Sequence, residues 1–254
     1  MKYAAILAAL AGFTTALPAT TGAKALKRAA TIGDAMHPRH HTLPLQRNTT
    51  NAEYDSNWAG AVQNGNGWTT VQGTITVPQT SGSDGSAASA WVGIDGDSCQ
   101  SAILQTGVSF YADGTFDAWY EWIPDGSYSF DNFDLSVGDQ IAMSVDASST
   151  TSGTATLENL TSGQKVTHSF SNPPSTLCET NAEWIVEDFE ENGSLVPLAN
   201  FGTVTFTDAS ATGSDGTVTP SGASILDIQD DSGNIDTNCY TSGDDLVCEY
   251  SGSD

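Results

Sequence analysis

The sequence predicts an all-β protein, an antiparallel sandwich of two sheets. From Glu53 onward, apolar and polar residues alternate with a period of two, and clusters of Gly, Ser, Asp and Asn interrupt the alternation. Many short strands with turn signals between them are typical of antiparallel sandwiches. The stretch contains no internal repeat and no second change in composition, so residues 53–254 are predicted to form one domain.

Eleven segments carry this strand pattern. They are residues 68–77, 88–94, 102–111, 116–123, 140–147, 153–160, 166–170, 182–190, 202–207, 224–228 and 246–250. Two tracts rich in Ser, Gly and Asp, residues 80–86 and 208–216, are predicted to be surface loops.

Residues 1–19 have the pattern of a signal peptide. Lys2 precedes an apolar run, residues 4–13, and small residues surround Ala16 and Ala19. The run is too short to cross a bilayer, which takes roughly 20 residues. A buried core helix would not begin with a charge at the extreme N-terminus, so we expect a secreted, extracellular protein.

Residues 20–52 are predicted to be a basic propeptide. All but one of the 31 acidic residues follow this segment, whereas Lys165 is the only Lys or Arg after it. Opposite charges predict that the segment binds the domain near neutral pH, inhibits it, and leaves as carboxylates become protonated. The alternative is a disordered tail that is merely trimmed.

The acidic domain excludes nucleic acid and anionic membranes as expected partners, because both would repel it.

Crowded carboxylates raise one another's pKa values, and a raised pKa in the fold gives stability that is lost as pH rises. We therefore expect the protein to be most stable in acid.

Four cysteines, all after residue 98, fit disulfides in an oxidising compartment. Cys239 and Cys248 flank a turn-like segment, and pairing them leaves Cys99 with Cys178. Sequence alone allows three pairings, so this prediction depends on proximity. We expect no metal and no cofactor, because the domain has no close cysteine pair and only one histidine, His168.

The residue types limit the available chemistry. His168 has no nucleophile motif near it, and no Gly-rich phosphate loop with a following lysine is present. Asp231-Ser232-Gly233 is the only close match to a pepsin-type loop and lies in polar sequence. Carboxylate, amide and tyrosine chemistry remains, and it suits low pH.

Several strands place polar side chains among bulky apolar ones. One face of residues 116–122 carries Asp117, Trp119 and Glu121, and one face of residues 182–189 carries Glu183, Ile185, Glu187 and Phe189. Trp91 and Asp95 point the same way, and Gln105 interrupts an otherwise apolar strand. Buried polar groups need hydrogen bonds, so we predict a polar, tryptophan-lined cleft. Solvated strand faces are the alternative.

Six segments resemble the eqolisins, the fungal glutamic peptidases. They are residues 56–61 (SNWAGA), 91–97 (WVGIDGD), 102–107 (AILQTG), 113–122 (DGTFDAWYEW), 155–161 (ATLENLT) and 181–190 (NAEWIVEDFE). The resemblance covers residues 53 to 250 in order. It implies a concanavalin A-like sandwich and a secreted acid endopeptidase that cleaves proteins and peptides; we expect a monomer.

The resemblance also implies the site residues. Gln105 and Glu187 match the family's catalytic dyad, in which the glutamate acts as general base and then acid and the glutamine stabilises the oxyanion. Five further residues match positions that bind substrate or support the cleft: Trp58, Trp91, Asp95, Asp117 and Glu121. The family's cysteine pairing agrees with the proximity argument. A small disulfide loop found in some members is absent, because residues 190–196 contain no cysteine.

A second hypothesis is a carbohydrate-binding or glycoside-hydrolysing sandwich. Glu121 and Glu187 would then form the carboxylate pair of a glycosidase, but Gln105 would have no role.

The sequence also predicts N-glycosylation at Asn159 and Asn192, because each begins an Asn-x-Ser/Thr motif. Asn48 in the propeptide begins a third such motif.

Overall fold

The computed structural model describes residues 52–191 and 193–252. Within that range it contains strands and no helices, so nothing there is a helix long and apolar enough to cross a membrane. The strands are β1 (Ala52–Asp55), β2 (Trp58–Asn64), β3 (Thr70–Thr76), β4 (Ala87–Ile94), β5 (Ile103–Tyr111), β6 (Phe116–Ile123), β7 (Tyr128–Ser129), β8 (Gln140–Ser149), β9 (Ser152–Asn159), β10 (Gln164–Ser171), β11 (Asn181–Glu187), β12 (Glu190–Glu191), β13 (Ser194–Leu195), β14 (Thr203–Gly213), β15 (Gly216–Val218), β16 (Ser224–Ile228), β17 (Thr237–Ser242) and β18 (Asp245–Tyr250).

Two large sheets form the predicted sandwich. The first has the order β1-β16-β2-β11-β4-β5-β6-β7, and the second has the order β10-β9-β8-β3-β14-β18-β17, with β15 paired to β14. Strands β12 and β13 form a small separate hairpin. The pairings are antiparallel except that of β1 with β16. The fold class predicted from the alternating pattern is therefore confirmed.

The main core lies between the two sheets and is formed by buried side chains from most of their strands. Trp184 on β11 is fully buried there, and its indole Nε1 donates a hydrogen bond to the backbone oxygen of Gln72 on β3, at 2.8 Å. Gly73 gives this indole its space, because a Cβ there would lie 3.2 Å from Trp184 Cδ1. Strand β11, in the middle of the first sheet, is thus also hydrogen-bonded to the second sheet.

All eleven predicted strands are present, but the prediction missed β1, β2, β17 and the short strands. The predicted loop at residues 208–216 is wrong, because β14 continues to Gly213 and β15 begins at Gly216. Ala209 and Ala211 alternate with more exposed residues, and Asp208 adopts a positive φ of 50° where the pairing with β3 shifts register. Small side chains and this bulge concealed the strand. The predicted loop at residues 80–86 is confirmed, with residues 81–85 exposed.

Both predicted disulfides are present, Cys99–Cys178 and Cys239–Cys248. The second joins directly paired residues of β17 and β18. The predicted signal peptide, the propeptide except Ala52, and Asn192 lie outside the described residues. Their assignments stay predictions.

Candidate functional site

The first sheet has a second apolar cluster on its outer face, the face turned away from the second sheet. Its largest members are Trp58, Trp91 and Trp119, all at most 2% exposed. Because side chains alternate along a strand, the residues between the core positions of β2, β11, β4, β5 and β6 share this face. Apart from β2, which the sequence analysis missed, these are the strands that the sequence predicted to carry polar side chains.

The strand register aligns these outer-face residues in three neighbouring rows. Written from β2 to β6, the rows are Trp58, Glu187, Ser89, Ser109 and Asp117; Gly60, Ile185, Trp91, Gly107 and Trp119; and Val62, Glu183, Gly93, Gln105 and Glu121. Gln105 and Glu187 therefore lie on the same face, on strands separated only by β4. The polar groups are nearly all buried, with Glu187 at 3% and Gln105 at 1% exposure.

Glu187 ends β11 and receives three N–H donors. Its Oε1 accepts hydrogen bonds from Asn57 Nδ2 and Trp58 Nε1, both at 3.1 Å, and its Oε2 accepts one from Trp91 Nε1 at 2.8 Å. An ionised carboxylate is an acceptor only, so this donor set matches it. The donors also fix the direction of both oxygens.

Two glycines make room for Trp91 between Glu187 and Gln105. A Cβ at Gly107 would lie 2.5 Å from Trp91 Cβ, and a Cβ at Gly93 would lie 2.9 Å from the far edge of the indole. The same Cβ at Gly93 would lie 3.3 Å from Gln105 Cβ. The indole therefore extends beside Gln105 while its N–H bonds Glu187. Trp58 packs edge-on against it, with ring centroids 4.8 Å apart.

Gln105 is oriented by Glu121, its cross-strand neighbour on β6. Gln105 Nε2 donates a hydrogen bond to Glu121 Oε2 at 2.6 Å. This bond fixes which end of the amide is the nitrogen, because a carboxylate accepts from N–H and repels the amide oxygen. Gln105 Oε1 has no hydrogen-bond partner among the described residues. The second N–H and this oxygen are the atoms left for a bound molecule.

Asp117 lies farther along β6, in the row of Glu187, and is partly exposed. Its Oδ2 accepts a hydrogen bond from the Ser129 hydroxyl at 3.0 Å. Beside it, Trp119 Nε1 donates to the Ser109 hydroxyl at 3.1 Å. These contacts place Asp117 at the β6–β7 margin of the outer face, three strands away from Glu187.

Asp95 is placed differently from the other predicted site residues. It follows β4 with a φ of 69°, and its carboxylate is fully buried. Oδ2 accepts from the backbone N–H groups of Cys178 and Glu179, at 2.7 and 2.8 Å, and Oδ1 accepts from that of Thr180 at 2.8 Å. These bonds hold the loop that carries one end of a disulfide. They leave Asp95 a supporting position rather than one open to substrate.

Sequence reasoning missed Asn57, a direct partner of Glu187. It precedes β2 and was conspicuous only as a polar residue beside Trp58. Nothing in its spacing shows that the turn before β2 folds against the end of β11, where the Asp188 N–H donates to Asn57 O at 2.9 Å. Glu183, fully buried in the same row as Gln105, was noted on the strand but not assigned to the site.

The comparisons with known proteins decide the family. The sequence matches the Peptidase A4 family over residues 56–250. It is 49% identical to aspergillopepsin-2 of Aspergillus niger over 286 aligned positions, covering 98% of this chain and all of that protein. It is 51% identical to scytalidopepsin B of Scytalidium lignicola, covering 81% of this chain and 82% of that protein.

The chain belongs to the Peptidase A4 family. A crystal structure of scytalido-glutamic peptidase with a transition state analog inhibitor superposes with a TM-score of 0.75 at 50% identity, covering 77% of this chain and 98% of that one. The protein is thus a glutamic-type endopeptidase of the eqolisin family, and the resemblance found in the sequence is confirmed.

The described part of this peptidase offers little to a metal. One group of potential ligands consists of Asp95, Cys99 and Cys178, but both sulfurs are joined in a disulfide and Asp95 already accepts backbone N–H groups. His168 lies on β10, where it stacks on Tyr120 at a centroid distance of 3.9 Å, and burial lowers its pKa. Neither place adds catalytic groups to the outer face.

The structure argues against a glycan on Asn159 of the peptidase. The residue is fully buried, and its Nδ2 donates to Asp134 O and Asp139 Oδ2, at 3.2 and 2.9 Å. Its Oδ1 accepts from the N–H groups of Thr161 and Ser162. A glycan on Nδ2 would have to break the donor bonds and leave the interior, so the observed conformation of Asn159 does not fit a glycosylated residue.

Asp188, next to Glu187, is a buried carboxyl whose raised pKa makes the stability of the fold depend on pH. Burial above all, together with the nearby Glu187 and Asp236 carboxylates, raises its pKa from 3.8 to about 8. Burial also raises the pKa of Asp227 to about 6, against the opposing effect of hydrogen bonds from Cys239 and Thr237. Both groups favour the folded state when they are protonated.

We expect the melting temperature of the peptidase to fall between pH 4 and pH 8. A carboxyl whose pKa is raised on folding stabilises the fold fully below its unfolded pKa of about 3.9, and this stability is lost as pH rises through the folded value. Asp188→Asn stays neutral throughout and should melt at least about 4 °C higher than wild type at pH 7.5, with little change at pH 3.5. Asp84→Asn, at an exposed loop, is the control. Equal or higher wild-type stability at pH 7.5 would contradict the prediction.

Proposed function

We propose that this endopeptidase is secreted, works in acid, and hydrolyses peptide bonds with Glu187 and Gln105 as its catalytic pair. The hydrogen bonds to Glu187 carry the proposal, because three N–H groups donate to a buried carboxylate on the outer face. Lys165 is the only lysine or arginine in the described residues, and it pairs with Glu158 on another strand pair.

Glu187 is the general base. Its ionised carboxylate takes a proton from water as the water oxygen attacks the peptide carbonyl, and the same proton then passes to the departing amine. The three N–H donors keep the carboxylate oriented in both steps. The carboxylate is restored when the amine leaves, so the cycle needs no other acid.

Gln105 is the oxyanion donor. One N–H of its amide is held by Glu121, which leaves the second N–H to donate to the oxygen of the tetrahedral intermediate. An amide is neutral at every pH, so this donor persists in acid. The bond between Gln105 and Glu121 also disfavours a glycosidase, because Glu121 is already committed to orienting the amide.

Trp58 and Trp91 are proposed to bind substrate next to the pair, and Asp117 is proposed to bind it at the β6–β7 margin. Asp95 and Glu121 support the site through the loop at residues 178–180 and through Gln105. Peptide-based transition state analogs occupy the related scytalido-glutamic peptidase, which supports peptides as substrates here. The basic propeptide is proposed to inhibit the enzyme until acid releases it.

Digestion of an acid-denatured protein and a polysaccharide panel at pH 3 tests the proposal. We expect new peptide termini by mass spectrometry and no release of sugar. An enzyme freed of its propeptide that releases sugar but no peptides would overturn it. Repeating the digestion at pH 7 should give much less cleavage, because the raised pKa values of Asp188 and Asp227 make the folded state less stable there.

A further inference from the structure

We propose that Asp55, at the end of β1, is a positioning residue for Glu187. The inference goes beyond the proposed pair and rests on the role assigned to Glu187. Asp55 belongs to the edge strand of the first sheet, and its carboxylate acts on the turn that leads into β2.

The carboxylate of Asp55 closes this turn. It is only 3% exposed, and its Oδ1 accepts hydrogen bonds from the backbone N–H groups of Asn57 and Trp58, both at 3.1 Å. An Asp side chain that bonds backbone N–H groups two and three residues later fixes the local backbone as a turn. The two residues whose backbone it holds are the two whose side chains reach Glu187.

The turn connects directly to the catalytic strand. Asn57 Nδ2 and Trp58 Nε1 both donate to Glu187 Oε1, and the carbonyl oxygen of Asn57 accepts from the N–H of Asp188. Asp55 does not contact Glu187 in these bonds. It holds the backbone of the two residues whose side chains supply two of the three donors to Glu187. Loss of its carboxylate would let these donors shift, while the bond from Trp91 to the other oxygen stays in place.

Strand β1 does not depend on this carboxylate. Its four residues pair with β16, and the backbone oxygen of Asp55 accepts from Gln229 N at 2.8 Å. We therefore expect the strand to remain docked when the side chain is shortened, so that the turn alone relaxes. Among the described residues, carboxyls near these elements include Asp188 beside Glu187, Asp236, which acts on Asp188, and Asp227 opposite Tyr54 on β16.

Asp227 provides a matched control. It too is a buried aspartate, at 6% exposure, and its Oδ1 accepts from Cys239 N at 2.7 Å and from the Thr237 hydroxyl at 3.0 Å. Both donors lie on β17, and neither is among the residues that donate to Glu187. Removing either carboxylate should lower stability, but only the loss of Asp55 should change catalysis.

The experiment measures kcat, KM and the pH profile of kcat/KM for Asp55→Ala, Asp55→Asn and Asp227→Ala on one peptide substrate. Asp55→Ala should lower kcat about tenfold with KM within about twofold, because a small displacement of a catalytic group is costly. The acid limb of its profile should move to higher pH, because ionised Glu187 loses well-placed donors. Asp55→Asn keeps an acceptor oxygen and should recover most of the activity. Asp227→Ala should keep the wild-type kcat and profile.

A wild-type kcat and an unmoved acid limb in Asp55→Ala would overturn the inference, as would an equal movement in Asp227→Ala. If Asp55→Ala does not fold, Asp55→Ser takes its place, with an expected loss of about threefold since serine closes such turns more weakly. Glu187→Gln separates the two proposals. An active Glu187→Gln overturns the proposed function itself, whereas an inactive one with normal Asp55→Ala overturns only the role of Asp55.

Discussion

Glu187→Gln is expected to lower kcat by at least about 10³-fold at the optimum pH, because the variant has no group that can accept a proton from water. Glutamine has nearly the same shape and can keep its oxygen towards Asn57 and Trp58. Its NH₂ then faces the indole N–H of Trp91. Both groups are donors, so the hydrogen bond that Trp91 makes to the wild-type carboxylate is lost. We therefore expect a folded protein that is less stable by roughly 1–3 kcal/mol.

Thermal unfolding and circular dichroism at pH 3.5 check that the Glu187→Gln protein is folded, and single-turnover kinetics measure the chemical step. Glu158→Gln is the control, because Glu158 lies on β9 in the second sheet and contacts Lys165. It should retain wild-type kinetics. Turnover by Glu187→Gln within tenfold of wild type would show that another group activates the water.

The fold was predictable because its strands follow one simple rule. Segments such as β4, β5 and β6 alternate or run apolar between clear turn signals, and the structure places them within a residue or two of the prediction. The rule fails where the buried side chains are small, because alanines contrast too little in hydrophobicity with their polar neighbours to show the alternation. In the second half of β14, alanines fill the buried positions and a bulge at Asp208 shifts the register, so residues 208–213 resemble a loop.

The site was predictable only in part, for a topological reason. Alternation shows that Glu183 and Glu187 share a face, but it does not show which strands neighbour β11. Strand β2, which supplies Trp58, is 117 residues or more away in sequence from β11, and such long-range pairing leaves no local pattern. Asn57 was therefore missed, and Asp95 could not be distinguished from a residue that faces substrate.

Charge was the most informative property of the composition. A domain with one lysine cannot neutralise buried carboxylates with cations, so it must use N–H donors or protonation. The structure contains both solutions side by side. Glu187 is surrounded by N–H groups, whereas burial raises the pKa of Asp188 to about 8. The two neighbouring carboxyls can thus serve catalysis and acid stability separately.

Gln105→Met is expected to lower kcat by about 10²- to 10³-fold with KM changed only a few-fold, because the substitution removes a donor that acts on the oxyanion. Methionine keeps the length and volume of the side chain on β5. It leaves Glu121 Oε2 without the bond from Gln105 Nε2, so a loss of roughly 1–3 kcal/mol in stability is also expected. Steady-state kinetics at pH 3.5 separate the effects on kcat and KM, and Gln140→Met on β8 is the surface control.

Glu121→Gln determines how the amide of Gln105 acts. The variant keeps an acceptor oxygen for Gln105 Nε2 but replaces a charge-assisted bond with a neutral one, so the amide should be held less firmly. If Gln105 is the oxyanion donor, kcat should fall about tenfold, well short of the loss in Gln105→Met. Equal losses in both variants would mean that Glu121 takes part in the chemistry itself. A Gln105→Met enzyme with normal kcat but raised KM would instead make Gln105 a substrate-binding residue, because uniform binding changes KM alone.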